Sequence, residues 1–123
     1  MSQLLSADNS ILLLVDIQTR LLSAMPEEAA KNMTEFSTSL TSAANLLDVP
    51  VFLTEQYPKG LGSTIDSINT VLNNSTQRFE KTAFSCCAAE GFMAALEQSG
   101  RKQIIIAGQE AHVCILQSAL ELM

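Results

Sequence analysis

Apolar residues follow two rhythms along this chain. Ile11-Leu-Leu-Leu-Val15 and Ile104-Ile-Ile-Ala107 are unbroken apolar runs, the pattern of strands covered on both faces. Val51-Phe-Leu-Thr54 and Gln77–Lys81 are expected to be the second and third strands, with Gln103–Ala107 as the fourth. Between the first two strands the period lengthens. Ala29, Met33, Phe36, Leu40, Ala43 and Leu47 recur at spacings of four and three, one face of a helix turned to a core. Pro26 is expected to open that helix, with Glu27 and Glu28 complementing its positive end, and Pro50 to close the region. Thr64–Leu72 and Ala88–Gln98 predict shorter helices, the second crossing Gly91 and stopping at Ser99-Gly100. Glu55–Gly62 is rich in turn formers and predicts a surface loop. From Ala111 the pattern is helical to Met123.

Strands alternating with helices imply a parallel sheet joined by right-handed crossovers. The 123 residues make one domain at most. With 47% apolar residues a core is affordable, and with only 5% aromatic it must be mainly aliphatic. Thirteen acidic residues against seven basic give a net charge of −6. Such a chain has no electrostatic footprint for nucleic acid or an anionic membrane. The first apolar run is too short to span a bilayer, and no basic residue precedes it as in a secretory signal. Three cysteines, two of them adjacent at Cys86-Cys87, suit neither a disulfide framework nor a CxxC pair. A cytoplasmic location is the expectation. One histidine and three cysteines without ligand spacing predict no metal site, and no cofactor is expected.

Three polar side chains stand where apolar segments end: Asp16 after the first strand, Lys81 closing the third, and Cys114 past the fourth. In α/β proteins the carboxyl ends of parallel strands share one edge, where ligands bind. Cys114 near a helix start would feel the helix dipole and backbone N–H groups, which favour thiolate and can hold an oxyanion. Taken singly, Cys114 suits a packed core thiol, Asp16 a loop cap and Lys81 a surface charge. Together they supply a nucleophile, a proton acceptor and a cation. His112 lies two residues from Cys114, nearly opposite on a helix, and is expected to pack rather than act. Glu55 and Gln56 close the second strand on the same edge, either lining a pocket or simply solvated. Cys86 and Cys87 have no acid or base nearby in sequence and are expected to pack. Gly60 and Gly62 lack the third glycine and the context of a dinucleotide loop.

Four segments carry a resemblance. Leu13-Leu-Val-Asp-Ile-Gln18, Leu53-Thr-Glu-Gln-Tyr-Pro-Lys-Gly-Leu-Gly62, Glu80-Lys-Thr-Ala-Phe-Ser85 and Gly108-Gln-Glu-Ala-His-Val-Cys114 resemble the isochorismatase-like cysteine hydrolases. The second segment resembles the branch of isochorismatase domain-containing proteins. The resemblance covers nearly the whole chain. It implies a three-layer αβα sandwich with a central parallel sheet in the order 3-2-1-4, and a triad of Asp16, Lys81 and Cys114. It also implies a non-proline cis peptide between Gln109 and Glu110, with backbone N–H groups at Glu110 and Cys114 forming the oxyanion site. Gln18, Glu55 and Gln56 would line the substrate pocket. Family members usually continue for two further strands, so a C-terminally incomplete domain is expected. The histidine-containing metal motif of the nicotinamidase branch is missing from Glu55–Pro58, which speaks against zinc and nicotinamide, and Cys114 speaks against isochorismate.

The resulting expectation is a metal-independent cysteine hydrolase of a small amide or related C–N substrate. The alternatives are a catalytically silent oligomeric scaffold and a thiol redox sensor at Cys114. A fourth strand this apolar, with no later strand to cover it, also predicts self-association.

Overall fold

The computed structural model describes residues 6–81 and 89–108. A single 3-10 turn at Ala7–Asn9 leads into β1 (Ser10–Val15), all six residues of which are buried. Two helices follow, α1 (Thr19–Ser23) and the 20-residue α2 (Glu27–Leu46). β2 (Val51–Gln56) comes next, then α3 (Pro58–Leu61) and α4 (Asp66–Val71). β3 (Gln77–Lys81), α5 (Phe92–Ser99) and β4 (Gln103–Gly108) complete the described elements. The helix expected from Ala111, and Cys86 and Cys87, lie outside the described residues.

Among the described residues the four strands pair in parallel, in the order β3-β2-β1-β4, as expected. β1 therefore lies inside the sheet, which is why its run carries no polar alternation. Leu12, Leu14, Val51 and Leu53 face one helix layer, where Ala44, Leu22 and Ile68 meet them. Ile11, Leu13, Val15 and Phe52 face the other, against Phe92. Three of the five phenylalanines form a cluster on that second face. Phe92 stands edge-on to Phe52 and Phe79, with centroids 6.0 and 5.4 Å away, the geometry aromatic quadrupoles favour.

α2 corrects the expected helix face. The stripe through Ala29, Phe36, Ala43 and Leu47 is exposed, Phe36 at 61% and Leu47 at 62%. The buried positions are Ser37, Thr41 and Ala44, about one residue round the helix. All three have small side chains, and the Thr41 hydroxyl is satisfied by donating to the Ser37 carbonyl at 2.8 Å. Helical period was right; of the larger apolar side chains Leu40 packs against the core while Phe36 and Leu47 do not. Leu40, Ala43 and Leu47 border a groove of about 150 Å³ that reaches Leu12 and Ile105.

Gly91 is also placed differently. It precedes α5 as a left-handed N-cap (φ 81°) and does not lie inside the helix, so the helix avoids the cost of an internal glycine. Gly100 ends α5 in the left-handed conformation expected of it (φ 68°). The loop after β2 carries the short helix α3, and α1 was not foreseen.

Candidate active site

The carboxyl ends of β1, β2 and β3 meet at one point. Strict alternation along β1 would send Asp16 to the Leu12 and Leu14 face. The backbone breaks that alternation, because Asp16 is left-handed at φ 54°, a conformation aspartate tolerates better than most residues. Its carboxylate turns instead to two partners. Oδ1 accepts from the Thr54 hydroxyl at 2.9 Å, and Oδ2 accepts from Lys81 Nζ at 2.8 Å. Both side chains of the ion pair are 0% exposed. Charges taken this far from water persist only when paired and hydrogen-bonded, and these are.

Lys81 is further held by Gln56, whose Oε1 accepts from Nζ at 2.9 Å. Register explains the meeting, since Gln56 is the parallel partner of Lys81 and Thr54 that of Phe79. Thr54 and Gln56 are two apart on β2 and so share a face with Phe52. Tyr57 N–H donates to the Lys81 carbonyl at 2.9 Å, extending the pairing one residue past the strand. Thr54 was missed from sequence. The sequence shows only a hydroxyl closing an apolar strand; register across the sheet brings it to Asp16.

The other expected pocket residues have different placements. Gln18 is 0% exposed, and its carboxamide is spent on backbone. Nε2 donates to the Gln56 and Gly62 carbonyls, and Oε1 accepts from Gln56 N–H. Glu55 points to the opposite face of β2 from Gln56 and braces the following loop: its Oε2 accepts from the Thr64 N–H and hydroxyl at 2.7 and 2.8 Å. Gln56 is half-buried at the site itself.

β4 ends beside this cluster. Gly108 is the parallel partner of Val15, the residue before Asp16. A Cβ on Gly108 would overlap the Val15 carbonyl oxygen, and its φ is 136°, so only glycine lets the two strand ends close together. The segment that leads from Gly108 to Cys114 thus departs next to Asp16. Cys114, His112, Gln109 and Glu110, with the expected cis peptide and oxyanion groups, lie outside the described residues. Among the described residues no three His, Cys, Asp or Glu side chains gather as a metal site.

Residues 10–123 match the isochorismatase domain. The chain belongs to that family. It is 37% identical over 123 residues to isochorismatase family protein 1A of Dictyostelium discoideum, covering 97% of this chain and 58% of the relative. Over 84 residues it is 42% identical to isochorismatase domain-containing protein 1 of Danio rerio, covering 68% of this chain and 29% of that one. Among solved structures, one described as the MAR1 ribonuclease of Caenorhabditis elegans superposes with a TM-score of 0.84 at 36% identity, over 96% of this chain and 59% of that chain. Escherichia coli YcaC, described as an octameric hydrolase of unknown specificity, matches with a TM-score of 0.82 at 23% identity, over 99% and 60% of the two chains. That likeness bears on the fold alone. The chain thus spans a little under three fifths of the length of isochorismatase-family relatives that it matches along nearly its whole length.

Proposed function

We propose that this isochorismatase-family chain carries the chemistry of a metal-independent cysteine hydrolase acting on a small amide or related C–N substrate. The observation that supports it most is the buried Asp16–Lys81 pair, at 2.8 Å and beside the strand end that leads to Cys114. A lysine with no exposed side-chain surface is rare outside a functional or structural pairing. Asp16 uses two of the roughly four lone-pair sites of a carboxylate on Thr54 and Lys81, which leaves acceptor capacity for a thiol proton.

In this reading Asp16 takes the proton from Cys114 Sγ, and the Lys81 ammonium offsets the negative charge left behind. The thiolate attacks the carbonyl carbon, and backbone N–H groups at Glu110 and Cys114 hold the oxyanion. Collapse breaks the C–N bond, and the amine leaves with the proton Asp16 had accepted. Water then cleaves the thioester, returning the thiol and releasing the acid. This chemistry needs a free thiol, so a reducing compartment such as the cytoplasm is part of the proposal. Among the described residues no helix is long and apolar enough to cross a membrane.

The ribonuclease named for the Caenorhabditis elegans relative raises a second substrate class. A net charge of −6 and a lysine already paired with Asp16 offer little to a phosphate backbone and favour the small amide.

The test is site-resolved alkylation of Cys114 with iodoacetamide across pH. Cys114 is expected to react as thiolate well below the ordinary thiol pKa of about 8.5, and Asp16→Asn or Lys81→Ala to alter that profile. An ordinary thiol titration in the folded protein sinks the hydrolase reading. An amide library with Cys114→Ser as control then separates turnover from redox sensing: reversible peroxide oxidation without turnover would favour the sensor.

A further inference from the structure

We infer that Gln18 is a positioning residue for the Lys81 ammonium, acting through Gln56. The inference rests on the hydrolase reading for its catalytic meaning and on hydrogen-bond geometry for everything else.

Gln18 is wholly buried, and it is neither an ion-pair partner nor part of the apolar core. Its carboxamide exchanges two hydrogen bonds with one backbone residue. Oε1 accepts from Gln56 N–H at 2.7 Å, and Nε2 donates to the Gln56 carbonyl at 2.9 Å. This is what a neighbouring strand residue would do, so the side chain extends the sheet's pairing to the last residue of β2. The second Nε2 hydrogen goes to the Gly62 carbonyl at 2.7 Å. Turning the amide over would set its oxygen against two carbonyls and its NH₂ against an N–H, so the contacts fix its orientation.

The residue clamped in this way is the one whose side chain meets the ammonium. Gln56 Oε1 accepts from Lys81 Nζ at 2.9 Å, and Nζ donates to Asp16 Oδ2 at 2.8 Å. Gln18 N–H in turn donates to the Asp16 carbonyl at 2.9 Å. The chain of contacts therefore closes on itself, from Asp16 to Gln18, Gln56, Lys81 and back to Asp16. Neighbouring bonds tie the same loop to the same segment: Thr19 N–H donates to the Ser63 carbonyl and Ile65 N–H to the Ile17 carbonyl. A Cβ at Gly62 would overlap the Thr19 hydroxyl, and its φ is 81°. The turn is thus drawn tightly onto residues 17–19. Apolar burial alone could hold this loop, but it would not fix the direction of a carboxamide against an ammonium. A donor–acceptor pair in register does.

Two substitutions test this on the folded protein, with melting temperature and circular dichroism confirming the fold. Gln18→Leu keeps the approximate volume and removes all three bonds. Gln18→Glu keeps the shape, and as the neutral acid it can still accept from Gln56 N–H and donate to one carbonyl. The first readout is the ¹⁵Nζ–H signal of Lys81, assigned by its loss in Lys81→Arg. The second is the iodoacetamide rate at Cys114 against pH. Gln18→Leu is expected to shift or broaden the Lys81 signal and to slow alkylation near neutral pH by roughly tenfold, the scale of loss from small misplacement of reacting groups. Gln18→Glu is expected to match the wild type at low pH and to fail as its acid ionises against the two carbonyls, adding a pH dependence the wild type lacks. A folded Gln18→Leu protein with unchanged Lys81 signal and alkylation profile overturns the inference, as does Gln18→Glu behaving alike at every pH. Should Gln18→Leu not fold, the Gln18→Glu profile alone decides. Failure of the hydrolase reading looks different: Lys81→Ala itself would then leave the Cys114 profile untouched.

Discussion

The Asp16–Lys81 pair sets the energetic terms at the scale of single residues. Two opposite charges with no exposed side-chain surface stabilise the fold only jointly, because each left alone would be an uncompensated buried charge. Lys81→Met is therefore expected to destabilise the protein by about 3–5 kcal/mol, read from urea unfolding. Adding Asp16→Asn should recover much of that loss. A Lys81→Met protein as stable as the wild type would mean that Asp16 is not a buried carboxylate in solution. Asp16 and Lys81 were legible in sequence because each is a charged residue closing a strand-like segment. The bond from Thr54 to Asp16 and those from Gln18 to the Gln56 backbone were not legible there. A threonine suits any strand, and a glutamine two residues past Asp16 looks equally suited to a pocket. What distinguishes them is register across β1, β2 and β3, and no local pattern encodes it.

At the scale of elements, α2 shows how far periodicity carries. Spacing correctly announced a helix between β1 and β2, since only that geometry brings residues three and four apart to one side. It placed the inner face about one residue off, with Leu40 still packing on the core. Ser37, Thr41 and Ala44 face the sheet while Phe36 and Leu47 are exposed, because close helix–sheet contact rewards small volume there as much as hydrophobicity. Thr41→Leu is accordingly expected to cost about 1–3 kcal/mol through overpacking. Phe36→Ser should stay within about 0.5 kcal/mol of the wild type. Denaturant titrations of both variants check this, and the opposite ranking would return the inner face to the Phe36 stripe. The strands fared better. β3 matches its expected limits, and β1, β2 and β4 differ by no more than two residues at an end.

At the scale of the whole molecule, the outer edge of β4 among the described residues sets the question. β4 pairs with β1 along one edge, and among the described residues no strand pairs with the other. Its Ile104, Ile105 and Ile106 are only half-buried, an apolar edge of the kind that pairs with another chain. The relatives are longer than this chain, and self-association through this edge is the expectation for the chain of 123 residues. Sedimentation is expected to show species heavier than the 13.3 kDa protomer, and Ile105→Lys to shift them towards monomer. A stable monomer at high concentration would refute self-association through this edge.

By itself the sequence determined the class of the fold, the four strands of the described residues, and the acid and amine that close two of them. Each of these is written locally, in unbroken apolar runs and the polar residue that ends each run. The tertiary structure decided which positions of α2 are buried, that Asp16 turns across the sheet edge towards Lys81, and that the Gln18 carboxamide bonds to the backbone of Gln56 and Gly62. These depend on how strands 38 to 65 residues apart lie in register, and long-range register leaves no periodic trace in the chain.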